Sequence, residues 1–361
     1  MADAKLLSTR LRRSCEPLYD ALDVQKTMEL VCEYPVGETV RLDRNVAFRF
    51  VPSGHILNSA QIEFWLTCGS KRRKILYTGD LGNTHIQNEY TNRLERVAKA
   101  DVVIGESTYG AERRIATKTA RSRDVETLEE VVRRTCLQDS GKVLIPVFAN
   151  QRSQQMLTIL YAIFAGDPTF QIPVLLDTPL GSRICGAYSE LLTGEDAEKW
   201  AKVMTWENLI MPQSAAESCR YRAEERPMVV LASSGMLTSG RSRAWAEAVL
   251  PDSRNTIVFC GFSVENSLAS ILKAGEKDHI KFHGRPIPNR ARIVELHSFS
   301  SHMQRDSLID YYGSIDCRQI YLVHGETAAR KDLAEAVSDR QRRNDRIVKV
   351  FVPAKGGFDE I

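Results

Sequence analysis

Residues Gly54 to Leu66 read G-H-I-L-N-S-A-Q-I-E-F-W-L; a short basic turn from Gly69 to Lys74 follows, and Ile75 to Asp80 read I-L-Y-T-G-D. Ile56 to Leu66 mixes small, β-branched and aromatic residues in partial alternation, which predicts a strand. Ile75 to Tyr77 predicts a second, buried strand, so the two make a hairpin. His55 then stands at the mouth of the first strand and Asp80 just past the end of the second. An imidazole and a carboxylate offered from strand ends in apolar surroundings are the donor types of a zinc or other divalent transition metal. Each alone is also ordinary loop chemistry, since Asp after Thr-Gly is a common turn residue.

Around this stretch the bulk properties are those of a globular chain. Its 361 residues suffice for two domains or one elaborated domain. Lys and Arg total 49 against 46 Asp and Glu, a formal charge of +3, so composition alone does not point to nucleic acid. No apolar run approaches the roughly 18 residues of a membrane span. The N-terminus lacks the apolar core of a signal peptide. The 8 cysteines are scattered without a C-x-x-C pair, which fits reduced thiols in a cytoplasmic protein better than disulfides or a cysteine zinc site.

On the N-terminal side, Met1 to Val31 is expected to be helical, with Asp23 as a cap, and Val40 to Val51 to be a strand pair turning at Arg44-Asn45. A helix over Asn92 to Ala98 is expected to precede a buried strand, Asp101 to Gly105, that ends in E-S-T-Y-G. From Gly141 to Gly275 strands and helices alternate: Gly141 to Phe148, Gln154 to Ala165, Pro173 to Leu176, Leu180 to Leu192, Met228 to Ala232, Thr256 to Gly261 and Leu268 to Lys273. That is the pattern of a parallel α/β sheet with right-handed crossovers, whose ligands bind in the loops after the strands. Further strands are expected at Ala291 to Leu296, Gln319 to Val323 and Ile347 to Pro353, with helices over Arg305 to Tyr312 and Ala328 to Val337. The charged run Asp339 to Arg346 reads as a solvated helix end.

His55, Asp80, Glu106, His302 and His324 thus share one position type, the mouth of an apolar strand or the loop after it. A carboxylate at the place of Glu106 is costly unless paired or functional. A crossover between the strands before His302 and His324 would bring the two rings to one sheet edge.

These stretches resemble the metallo-β-lactamase-fold, β-CASP family of nucleic-acid-processing nucleases, from about Leu18 onward. G-H-I-L-N-S-A resembles the family's third motif and T-G-D-L-G its fourth. E-S-T-Y-G, F-S-S-H and L-V-H-G-E resemble the three β-CASP motifs, and I-P-V-F-A-N-Q-R and A-S-S-G-M-L-T-S-G resemble stretches of the β-CASP insert. The resemblance implies an α/β fold: a partial metallo-β-lactamase αββα sandwich over residues 1–110 and 291–361, with an inserted β-CASP domain, a parallel sheet flanked by helices, over 111–290. It implies His55, Asp80 and His324 as metal ligands, with Asp80 bridging two zinc ions. It implies His302, oriented by Glu106, as the group that protonates or stabilises the leaving oxygen. Arg152, Ser233, Ser234 and Ser239, on insert loops, become candidate phosphate contacts.

The implied function is zinc-dependent hydrolysis of phosphodiesters in RNA, with the choices between endo- and 5′-exonuclease, and between RNA and DNA, left open. The family's second motif, H-x-H-x-D-H, is absent, and no histidine precedes His55. The expectation is therefore a shortened chain in which each of two zincs finds at most two protein ligands, against the usual three or four. An exposed strand edge is expected at that boundary. Ligands would come from a partner chain or a homodimer. The alternative is a catalytically inactive relative that binds RNA or scaffolds an RNA-processing complex.

Overall fold

The computed structural model describes Ser8 and residues 14–112, 117–261 and 263–354. Most of the helix expected before Leu18 lies outside the described residues. Helix α1 (Ala21–Glu29) is followed by strands β1 (Thr39–Arg41), β2 (Val46–Pro52), β3 (Ala60–Cys68), β4 (Lys71–Tyr77) and β5 (Val102–Glu106). Helix α2 (Lys118–Val132) runs on as a π-helical stretch, Arg133–Gln138, into β6 (Lys142–Pro146) and α3 (Arg152–Phe164). Then come β7 (Val174–Asp177), α4 (Pro179–Leu191), α5 (Gly194–Met204), β8 (Leu209–Ile210), α6 (Ala215–Ala223), β9 (Met228–Ala232), α7 (Gly240–Val249), β10 (Thr256–Phe259) and α8 (Leu268–Ala274). A hairpin of β11 (His279–Phe282) and β12 (Arg285–Pro288) precedes β13 (Arg292–Glu295), α9 (Arg305–Ser314), β14 (Gln319–Val323), α10 (Thr327–Arg343) and β15 (Lys349–Phe351). Among the described residues, no helix is long and apolar enough to cross a membrane.

Two sheets organise the chain. The first has 7 strands in the order β1-β2-β3-β4-β5-β14-β15. Its first four strands are antiparallel, and β5, β14 and β15 then run parallel to β4. The second has 6 strands in the order β13-β10-β6-β9-β7-β8, all parallel. Every residue of β7, β9 and β10 is buried, which is why these strands read as unbroken apolar runs rather than alternations. Helices cover both faces, building two apolar cores around Leu160, Phe164 and Trp200 on one side and Trp245, Val249 and Leu272 on the other. The first sheet packs one face, with Val51, Leu76, Val103, Ile320 and Leu322, against Leu308, Tyr311, Leu333 and Val337 of α9 and α10.

The structure corrects several expectations about single elements. Strand β3 opens at Ala60, not Ile56, because the Ser59 hydroxyl accepts from the His55 and Ile56 N–H groups, both at 3.0 Å, and folds the segment into a turn. Residues 92–98 are not helical. Their main-chain groups are used by neighbours instead: Glu95 N–H donates to Pro52 O (3.1 Å), Gln61 Nε2 donates to Glu95 O (2.8 Å) and Asp316 N–H to Ala98 O (2.9 Å). Asp20, not Asp23, is the N-cap of α1; Asp23 completes the capping box from the third helical position. Helices α5, α6 and α7 fall in stretches given no helix from the sequence. Strand β13 pairs with β10 in the second sheet, so the chain returns to the first sheet only after Glu295 rather than at residue 291. Strand β1, three residues long, forms the edge of the first sheet.

One segment pins the two sheets together. Glu89 pairs with Arg121 (2.9 Å) and accepts from Gln155 Nε2 (2.7 Å), while its backbone oxygen accepts from Gln151 Nε2 (2.7 Å). Gln151 also accepts from Leu57 N–H (3.2 Å) and the Tyr188 hydroxyl (2.7 Å). These contacts hold α2, the start of α3 just after β6, and α4 after β7 against the loops that carry His55 and Asp80.

Candidate active site

Between the sheets lies a cleft of about 530 Å³, lined by His55, Asp80, His302, His324 and Arg152 among others. Its floor is made by loops that approach one another closely. A Cβ on Gly82 would fall 2.0 Å from Gly54 O, so the turn before β3 and the turn after β4 meet back to back only with glycine there. A Cβ on Gly325 would fall 2.7 Å from Ser107 O, so the loop after β14 sits on the end of β5 for the same reason.

Onto this floor the segment after β13 lays itself as an added strand. Met303 N–H donates to Leu81 O (2.8 Å) and Asn83 N–H to Ser301 O (3.2 Å), with Gly82 and His302 as bridge partners. The rings of His302 and His324 do meet, with centroids 5.8 Å apart and planes at 23°. The route differs from the one expected: β13 and β14 belong to different sheets, so no crossover within one sheet brings them together. The segment from 296 to 304 passes between the sheets instead.

Glu106 ends β5 and is 1% exposed. Its carboxylate accepts from Leu81 N–H (2.7 Å) and Thr108 N–H (3.2 Å), and His302 Nδ1 lies 3.1 and 3.2 Å from its two oxygens. Burial by itself pushes this carboxyl up. The charge and hydrogen bond of His302, with those two N–H donors, outweigh it and hold the group down at about 2. The same pair works on His302: burial pushes the imidazole down, and Glu106 more than restores it, leaving it above its ordinary value. Among the described residues, no carboxylate is hydrogen-bonded to the His55 ring; Asp80 Oδ2 lies 3.7 Å from its Nε2. Burial, reinforced by the neighbouring His302, pushes it down to about 3. Two imidazoles with centroids 4.3 Å apart are thus driven towards opposite protonation states.

His55 Nε2 lies 3.7 Å from Asp80 Oδ2, and His324 Nδ1 lies 3.4 Å from Asp80 Oδ1 and 3.0 Å from the Thr108 hydroxyl. His55, Asp80 and His302 each bring one donor atom to within 4.8 Å of the others. Among the described residues, His55 Nδ1 is buried with no hydrogen-bond partner. The neutral imidazole of His55, which has a buried nitrogen without a partner among the described residues, and the Asp80 carboxylate shared between His55 and His324 are donor types that fit a divalent transition metal.

Family comparison agrees with this geometry. Residues 153–272 match the Beta-Casp domain, and residues 286–353 match the Zn-dependent metallo-hydrolase RNA specificity domain. Ribonuclease TTHA0252 of Thermus thermophilus is 30% identical over 328 residues, covering 89% of this chain and 72% of the relative. The chain belongs to the β-CASP family of metallo-β-lactamase-fold nucleases. An RNase J-like protein of Methanocaldococcus jannaschii is 29% identical over 98% of this chain and 80% of its own length. Integrator complex subunit 11 of Gallus gallus is 27% identical, and the chain spans 53% of it. The Beta-Casp match covers strands β7 to β10 of the second sheet, and the RNA specificity match covers the region that carries His302 and His324.

Not every candidate read from the sequence reaches the cleft. Arg152 does, although it is 8% exposed and its guanidinium donates to Gln155 Oε1 (2.7 Å) and to Phe299 O. Ser233 donates to Thr178 Oγ1 (2.8 Å), Ser234 pairs with Thr238 (3.1 Å), and Ser239 is the N-cap residue of α7. From that loop the cleft takes Gly235 and Met236 rather than the three serines. Thr108 and Gln151 are site residues that the sequence did not single out. Thr108 was visible in E-S-T-Y-G, but only the return of β14 beside β5 places it on His324.

Proposed function

We propose that this chain hydrolyses phosphodiester bonds in single-stranded RNA with zinc, and that the cleft between the sheets is the catalytic site. The observation that carries this is the convergence of His55, Asp80 and His302, with His324 on the far side of Asp80, at the floor of a cleft of about 530 Å³ between the sheets. His55, Asp80 and His324 would hold the metal. Bound there, zinc supplies Lewis acidity and positive charge against the phosphodiester. His302 works as the proton donor to the leaving oxygen. Glu106 fixes its Nδ1, so the opposite ring nitrogen is the one presented to substrate. Arg152, whose guanidinium also lines the cleft, adds positive charge where the phosphate backbone passes. The RNA specificity assigned to the matched C-terminal domain, and the ribonuclease and RNase J-like names of the relatives, support RNA as the polymer.

The test is elemental zinc per purified chain, together with cleavage of a 5′-labelled single-stranded RNA. Asp80→Ala is expected to lose zinc and cleavage together, because the carboxylate stands between two imidazoles. An Asp80→Ala chain that still cuts overturns the assignment. A second reading, an RNA-binding subunit without hydrolysis, is favoured by the small donor set: among the described residues a single group, His55, Asp80 and His302, brings three donor atoms together. Zinc-free protein that binds the RNA without cutting it would select that reading.

A further inference from the structure

Phe148 stands two residues past the end of β6, on the wall of the cleft, and is 50% exposed. Its backbone is fixed: the carbonyl accepts from Ser153 N–H (3.2 Å) and the Ser153 hydroxyl (2.7 Å), and Val147 N–H donates to Ala232 O (2.9 Å). Its ring is packed on one side: a Cβ on Gly235 would lie 3.3 Å from both Cδ2 and Cε2, so the ring rests against the Gly235 backbone. The same cleft is also lined by Met236, Val264, itself 47% exposed, and Ile56. An aromatic ring backed on one side and apolar side chains left open to water, in the cleft that also holds His302 and Asp80, are suited to a flat apolar ligand.

From this we infer that Phe148, with Met236 and Val264, forms a nucleobase-stacking subsite, and that the chain takes an unpaired nucleotide beside the phosphate it engages. Every base has a π-face, so stacking tolerates any sequence, whereas a base inside a duplex has both faces already covered. The subsite therefore selects single strands by geometry and not by base identity. The inference rests on the proposed RNA substrate and deepens it.

The test uses the full chain in EDTA, so that binding is measured without cleavage, and a short single-stranded oligoribonucleotide carrying one 2-aminopurine. Wild-type protein is expected to quench the 2-aminopurine on binding. It is also expected to bind the oligonucleotide about tenfold more tightly than an otherwise identical one with an abasic site in that place. Phe148→Ala, and Phe148→Leu, which keeps apolar bulk and guards against misfolding, should lose the quench and most of that preference; Phe148→Trp should keep both. Wild-type protein that does not quench, or Ala and Leu variants that quench like wild type, would overturn the subsite. Quenching that persists in a chain unable to cut RNA with zinc restored would leave the subsite standing and remove the nuclease assignment instead.

Discussion

At the scale of single residues, the pairing of Glu106 with His302 decides what the cleft can do. Glu106 is a buried carboxylate satisfied by two N–H donors and an imidazole, so its charge is retained where an unpaired one would be neutralised. Glu106→Gln keeps a side-chain oxygen for Leu81 N–H and removes the charge that orients His302. Cleavage is expected to fall by about 10²- to 10⁴-fold, the range for a positioned proton donor, with zinc content unchanged. Measuring both on one preparation separates this from a ligand role: if zinc leaves along with activity, His302 is a ligand and not the acid. Both residues were legible as strand-end polar groups in the sequence. Their hydrogen bond was not, because it joins groups on segments far apart in the chain.

At the scale of elements, the turns matter more than the strands. The hairpin of β3 and β4 follows from the alternation between Ala60 and Tyr77, and its register is held by seven paired positions from Ile62↔Tyr77 to Cys68↔Lys71. What places His55 and Asp80 is the contact between the flanking turns, where Gly82 passes the Gly54 carbonyl. Gly82→Ala forces these backbones apart and is expected to cost roughly 1–3 kcal/mol, seen as a Tm lower by a few degrees. Zinc affinity should fall with it, since Asp80 lies two residues away. An unchanged Tm in a thermal melt would show that the turns yield freely. A glycine in T-G-D-L-G is readable as a turn residue; that another backbone occupies its missing side-chain space is not.

At the scale of the whole molecule, two sheets are locked by a polar segment around Glu89, and the cleft exists because they are. Cysteine chemistry reports on that packing. Burial pushes the thiols of Cys136, Cys260 and Cys317 up to about 12 and that of Cys185 to about 11. Their thiolate forms, the reactive ones, are therefore negligible near pH 8. Cys32, Cys68 and Cys219 are exposed. Native protein treated with iodoacetamide at pH 8 is expected to carry label on the exposed three and none on the buried four, as read by peptide mass spectrometry. Rapid labelling of Cys136 or Cys185, which lie in the apolar core of the second sheet and away from the cleft, would mean that this core opens in solution.

The linear order of residues determined the local vocabulary of this protein. Unbroken apolar runs specify the doubly covered parallel strands, alternation specifies the hairpin, and the histidines and carboxylates sit where those strands end. Local periodicity reports which residues face a core, so it needs no partner to be read. The sheet to which each strand belongs was decided only in three dimensions. So were the passage of His302 between two sheets, the main-chain pairing that keeps residues 92–98 out of a helix, and the packing of the Phe148 ring on Gly235. Each depends on groups far apart in sequence finding one another, and no periodicity encodes that.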